Sequence, residues 1–185
     1  MKKLFLIFSV LICLAGRSQT GVVRLEFEAA INSDIYEIVP LGNQGFLVFF
    51  ETKDEAGENS KNWFFTFYNP SFSEVWKINI PVVADASYEE YIRKDSLVYL
   101  FFLNPGKVKP GTDNFQLLTL DLANGLSYET KGNLPAESTF VKFCITGNKM
   151  FLGLNLKNEQ ASVYFIDLKS GPINEFRIPF PDQNF

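Results

Sequence analysis

Four short apolar segments follow one another between residues 34 and 81: IYEIVP (35–40), GFLVFFE (45–51), NWFFTFY (62–68) and EVWKINIP (74–81). Segments of this length, rich in aromatic and β-branched side chains and separated by Gly, Asn and Pro, are typical of β-strands. The turn at residues 42–45 contains two glycines and an asparagine and predicts a hairpin between the first two strands. We therefore predict that this stretch forms a four-stranded antiparallel unit.

The same arrangement recurs twice along the chain. The second copy reads SYEEYI (87–92), SLVYLFF (96–102), FQLLTLDL (115–122) and LSYETK (126–131), and the third reads TFVKFCI (139–145), KMFLGLN (149–155), ASVYFIDL (161–168) and NEFRIPF (174–180). The first tight turns, Gly42-Asn43, Lys94-Asp95 and Gly147-Asn148, recur at intervals of 52 and 53 residues. A period of 20–50 residues or slightly more indicates a repeat architecture. The second and third strands of each unit are the most apolar, as expected of strands covered on both faces.

This repeat resembles the β-propeller folds over residues 22–185, and the likeness lies in the four-strand period alone. Neither the WD dipeptide nor the double glycine of kelch blades is present, so the resemblance is to uncharacterised secreted bacterial propellers. It implies an all-β fold of three four-stranded antiparallel blades, at residues 33–84, 85–135 and 136–181. A lone strand, VVRLEFE (22–28), precedes them and resembles a fourth strand in its alternation. Propellers usually have four to eight blades, so we expect an incomplete propeller, the N-terminal portion of a longer protein. The alternative is a small open array of sheets completed by self-association.

Residues 1–18 read as a cleaved secretory signal. Lys2 and Lys3 precede an apolar run from Leu4 to Leu14, and small residues follow before Gln19. The run is too short for a membrane-spanning helix, which needs about 20 residues. We expect the mature chain to lie outside the cytoplasm, in the periplasm, at the cell surface or secreted, with no membrane span.

Charge and composition exclude several classes of function. Removing residues 1–18 leaves 14 basic and 21 acidic residues, a net charge of −7, which predicts no nucleic-acid binding. The chain contains no histidine, so it cannot build a Ser-His-Asp triad or a histidine-ligated metal site. Cys144 is the one cysteine after residue 18, and its apolar neighbours predict that it is buried. We expect no cofactor and no metal site.

Two long segments between second and third strands are the best candidates for binding, TKDEAGENSK (52–61) and NPGKVKPGTDN (104–114). In the first, Asp54, Glu55 and Glu58 offer oxygens for a calcium ion or a sugar hydroxyl, and in the second Lys107 and Lys109 offer positive charge. No calcium-loop pattern supports a metal site, and a solvated loop is the competing interpretation. Weaker candidates are an acidic cluster that could supply carboxylates for glycoside hydrolysis, Asp85, Glu89 and Glu90, and a set of rings that could stack on a sugar, Trp63, Tyr88, Tyr91 and Phe115. Asp121 and Asp167 recur at equivalent places before a tight turn, and we predict that they are turn residues.

The sequence does not specify an activity. The hypothesis that it favours is a secreted, non-catalytic propeller-type module that binds a protein or glycan through the face carrying the long loops. One alternative is the N-terminal part of a carbohydrate-active hydrolase or lyase whose site is completed by further blades. Another is a structural piece of a surface assembly.

Overall fold

A computed structural model describes residues 24–26, 36–106, 111–135, 138–156, 161–169 and 173–177 of the chain. Within these residues twelve β-strands form three antiparallel sheets of four strands each. Sheet 1 contains β1 (Tyr36–Pro40), β2 (Phe46–Gly57), β3 (Ser60–Tyr68) and β4 (Glu74–Val83). Sheet 2 contains β5 (Ser87–Lys94), β6 (Leu97–Leu103), β7 (Phe115–Asp121) and β8 (Ser127–Gly132). Sheet 3 contains β9 (Thr139–Thr146), β10 (Lys149–Asn155), β11 (Ala161–Asp167) and β12 (Ile173–Arg177).

Strand order follows chain order in every sheet, so each sheet is a simple meander. The all-β prediction is confirmed, and so is the presence of several antiparallel sheets. A single turn of 3-10 helix, Gly42–Gln44, joins β1 to β2. No helix within the described ranges has the length and apolar character that crossing a bilayer requires.

Both faces of sheet 2 are packed against another sheet. Successive side chains of a strand point to opposite faces, so the residues of β6 fall into two sets. In β6, the side chains of Val98, Leu100 and Phe102 belong to a buried cluster shared with sheet 1. The intervening residues Tyr99, Phe101 and Leu103 belong to a second cluster shared with sheet 3. The three sheets are therefore stacked in chain order, with sheet 2 in the middle.

Aromatic rings fill the space between sheets 1 and 2. Phe102 is fully buried, and its ring lies 5.1 Å from Trp63 and 6.2 Å from Phe49, both in sheet 1. The ring of Tyr88, in β5, the first strand of sheet 2, contacts the rings of Phe49 and Phe102. Such edge-to-face pairs are favourable beyond the area that they bury.

Polar side chains also join sheet 1 to sheet 2. Gln116 of β7 is completely buried and bonds the backbone of β4. It accepts a hydrogen bond from the Val83 amide at 2.9 Å and donates one to the Pro81 carbonyl at 2.9 Å. The indole N–H of Trp76 donates to the Leu122 carbonyl at 3.0 Å. These bonds fix the position of the β4 strand against sheet 2.

The turn roles predicted for Asp121 and Asp167 are confirmed. Oδ1 of Asp121 accepts a hydrogen bond from the amide of Ala123 at 2.9 Å, and Oδ1 of Asp167 accepts one from the amide of Lys169 at the same distance. Both are bonds to the backbone two residues on, which close the turn after the third strand.

The prediction that Cys144 is buried is wrong, since its side chain is exposed. Phe143 beside it points into the core, and alternation along β9 turns Cys144 outward. The predicted signal segment 1–18 lies outside the described residues. Of the lone strand predicted over 22–28, residues 24–26 are described; they belong to no strand, and Arg24 and Glu26 form an exposed ion pair at 3.0 Å.

Candidate functional site

The segment predicted as a long loop at residues 52–61 is mostly a β-hairpin. Strand β2 continues to Gly57 and β3 begins at Ser60, so Glu58 and Asn59 alone form the turn. The ladder is irregular here, with register shifts on either side of Glu55. The sequence pattern did not predict this extension of the two strands. Both strands become polar where they leave the core, and the apolar alternation that indicates a strand stops at Glu51.

The predicted site residues of this hairpin lie in solvent. Asp54 and Glu58 are exposed, and the amide of Asp54 donates a hydrogen bond to Oγ1 of Thr52 at 3.3 Å. The backbone of Glu55 lies in β2, opposite Lys61, and its side chain is outside the described part. Lys107 and Lys109 are likewise outside the described residues. Among the side chains that are described, no group of three acidic or cysteine residues is arranged to hold a metal ion.

A lysine occupies the base of the hairpin. Nζ of Lys61 lies 2.8 Å from the carboxylate of Glu51 and 3.9 Å from that of Asp85. The hydrogen bond to Glu51, together with the negative charges of Glu51 and Asp85, raises the pKa of Lys61 above its usual value. Lys61 therefore stays positive, and its one charge offsets part of the negative charge of Glu51 and Asp85.

The hairpin turn, the link between sheets 1 and 2, and the start of the 104–114 loop meet at one end of the molecule. The carbonyl of Asn59 accepts a hydrogen bond from the amide of Ala84 at 3.0 Å. The side chain of Asn104 donates to the carbonyl of Ala84 at 3.3 Å and accepts from the amide of Gly106 at 2.9 Å. Ala84 thus joins the two segments that the sequence singled out. This end of the molecule carries exposed polar residues whose backbone is held by hydrogen bonds.

The three carboxylates of the second acidic cluster have different partners. Asp85 faces Lys61, Glu89 accepts a hydrogen bond from the Ser87 hydroxyl at 2.9 Å, and Glu90 bonds Lys142 at 2.6 Å. Oε2 of Glu90 is buried and has no hydrogen-bond partner among the described residues.

The four predicted sugar-binding rings are divided between the core and the first strands. Trp63 and Phe115 are buried, whereas Tyr88 and Tyr91 are half-buried on β5. Burial, reinforced by the nearby charge of Glu37, raises the pKa of Tyr88 far above its ordinary value. The Tyr91 hydroxyl donates to the Pro40 carbonyl at 3.2 Å. The described geometry gives these rings roles in packing.

No family model matches the sequence, and no curated protein is similar to it. Among solved structures, the chain is similar to the crystal structure of an ACO/RPE65 chimera, with 9% sequence identity and a TM-score of 0.42. The similarity covers 71% of this chain and 34% of the chimera, so the chain spans about a third of that protein's length.

Proposed function

We propose that this protein is a secreted, non-catalytic module of the β-propeller type, which binds a protein or glycan through the end formed by the β2–β3 hairpin. The stacking of three four-stranded meanders in chain order supports the propeller arrangement, because adjacent blades of a propeller pack face to face in this way. The signal sequence of residues 1–18 supports export of the chain.

The observation that carries the binding function is the convergence at Ala84. The hairpin turn and the 104–114 loop are joined there, and the exposed side chains of Asp54 and Glu58 extend beyond the packed sheet. A polar projection on a rigid sheet presents donors and acceptors at fixed positions, which lowers the entropy lost on binding. The lysine at its base, Lys61, adds a positive charge beside the acidic groups. The surface therefore suits a polar ligand of mixed charge.

The test is to immobilise the secreted protein and to probe it with arrays of glycans and of extracellular proteins. A binder found in this way is then titrated against the double variant Asp54→Ala, Glu58→Ala. We expect the affinity to fall by about tenfold or more, equivalent to roughly 1.4 kcal/mol. Glu74→Ala is the matched control, because Glu74 is an exposed acid at the opposite end of the same sheet, where it pairs with Tyr68. Equal loss in both variants, or no loss in the double variant, would place binding elsewhere.

A further inference from the structure

The outer side of sheet 1, which points away from sheet 2, carries three deeply buried residues. Leu47 and Phe49 face sheet 2, so alternation along β2 turns Val48 and Phe50 to the outer side. Thr66 lies directly opposite Val48 on β3 and shares that side. Val48, Phe50 and Thr66 are 1%, 6% and 2% exposed, although neither buried cluster between the sheets includes Val48 or Phe50. We call these three residues the covered strip.

Burial of this depth requires a body on top of the strip. The outer side of sheet 3, at the other end of the stack, provides the comparison, because its central strands β10 and β11 carry similar apolar residues. There Phe151, Val163 and Phe165 are half-exposed, and the residues that alternate with them are packed against sheet 2. A side chain on an open face of an antiparallel sheet keeps one side in water. The covered strip therefore lies beneath another part of the protein.

The body that covers the strip is narrow. On the same side of sheet 1, Tyr36 and Ile38 of β1 are 57% and 52% exposed, and Lys77 of β4 is exposed as well. These three residues lie directly opposite the residues of the covered strip. A packed sheet would cover β1 and β4 together with the two strands between them. The cover instead spans only β2 and β3, a width of roughly 10 Å, which matches one extended segment of chain.

The segment that leads into sheet 1 has one side against the protein. Leu25 is half-buried, whereas the side chains of its neighbours Arg24 and Glu26 are 83% and 73% exposed and pair with each other in solvent. Nine residues, 27–35, connect Glu26 to Tyr36 at the edge of sheet 1. Nine residues span up to about 30 Å, so the connection is long enough for the segment to fold back across the sheet.

We propose that the N-terminal segment, residues 22–28, lies across β2 and β3 on the outer side of sheet 1, with Leu25 turned toward the covered strip. In the sequence Val23 and Phe27 flank Leu25 at intervals of two residues, so an extended segment presents three apolar side chains on one side and its charges on the other. The segment thereby acts as a strap that keeps the apolar middle of sheet 1 out of water. This contact is independent of ligand binding at the hairpin.

The test measures how accessible a thiol is beneath the strap. Cys144, which is exposed, is first replaced by serine in the secreted chain. Val48→Cys then places a thiol in the covered strip, and Val98→Cys is the matched control, since Val98 is equally buried but lies between sheets 1 and 2. We expect both thiols to react with iodoacetamide at least about a hundredfold more slowly than Cys144 of the wild type, because a buried thiol is inert. A thiol at position 48 as reactive as Cys144 would show an open face and would overturn the proposal.

Loosening the strap provides the decisive measurement. Adding Leu25→Gln is expected to accelerate the reaction at position 48 by about tenfold and to leave position 98 unchanged, because the strap opens without the sheets. Arg24→Gln, on the exposed side of the same segment, should change neither rate. Equal rates at position 48 with Leu25→Gln and Arg24→Gln would refute the proposal, as would equal acceleration at both positions, which would indicate a general loss of stability. Protection of position 48 that weakens on dilution would identify a second copy as the cover and would also refute it.

Discussion

Replacing Gln116 by Met tests how strongly the middle sheet is fixed to its neighbour. Methionine is similar in length and flexible, so it fills the same space without opening a cavity. It removes the acceptor of the Val83 amide and the donor to the Pro81 carbonyl, both at 2.9 Å in the native chain. It also removes the 3.0 Å bond to the carboxylate of Glu129. The change thus isolates hydrogen bonding from packing.

The expected loss follows from the groups left without a partner. A buried donor or acceptor deprived of its partner costs about 1–3 kcal/mol. The Val83 amide bears most of this cost, because a carbonyl such as that of Pro81 keeps a second lone pair for other donors. We expect Gln116→Met to reduce the free energy of unfolding by about 3 kcal/mol in total. For a chain of this size this corresponds to a fall in Tm of roughly 6–12 °C.

Urea unfolding followed by tryptophan fluorescence measures the loss, and Gln44→Met is the matched control. Gln44 lies exposed in the 3-10 helix, where the same substitution should change stability by no more than about 0.5 kcal/mol. If the free energy of unfolding of Gln116→Met lies within about 0.5 kcal/mol of the wild-type value, the buried amide contributes no more than an ordinary surface group. The reasoning about unsatisfied backbone groups would then be refuted.

Two further predictions concern a turn glycine and the half-buried phenol of Tyr88. Gly45 has a φ of +119°, and a Cβ there would lie 1.9 Å from the Tyr68 carbonyl oxygen, whereas Gly111, at +84°, has open space. Thermal melts should therefore show a loss of about 1 kcal/mol for Gly111→Ala and a several-fold larger loss for Gly45→Ala; equal losses would exclude the clash. Because burial raises the pKa of Tyr88, the folded chain holds that proton more tightly than the unfolded chain. The contribution of this proton to stability is therefore fully present below the ordinary tyrosine pKa of about 10 and is lost as pH rises above it. The Tm measured between pH 8 and 11 should fall less steeply in Tyr88→Phe than in the wild type. Identical slopes in the two proteins would contradict this assignment.

The sequence predicts the strands well because burial is local in a meander. Strand β6 is apolar on both faces, and this pattern predicted that it is buried on both. Leu100 lies in the cluster shared with sheet 1 and Phe101 in the cluster shared with sheet 3, as predicted. The turn roles of Asp121 and Asp167 also followed from their place in the chain, since the groups that they bond are two residues away.

Features that depend on distant partners were not visible in the sequence. Gln116 bonds residues 33 and 35 positions away, and Trp76 bonds a carbonyl 46 positions away. The extended hairpin was missed because polar residues at 52–57 form a ladder outside the core, where hydrophobic alternation gives no signal. The exposure of Cys144 could have been found by applying the two-residue period to Phe143, whose apolar side chain is the better guide to the buried side.

The order of strands along each sheet has a consequence for how the chain folds. Among the described strands every pairing joins neighbours in sequence, so the contacts within each meander have a small sequence separation, which favours fast formation. Sheet 2, however, buries residues on both sides only when its neighbours are present. The chain should then unfold like a short linear array of repeats, in which the unfolding of an end sheet first lowers the stability of the sheet next to it. Hydrogen exchange should accordingly be slowest in β6 and β7, in the middle of the stack.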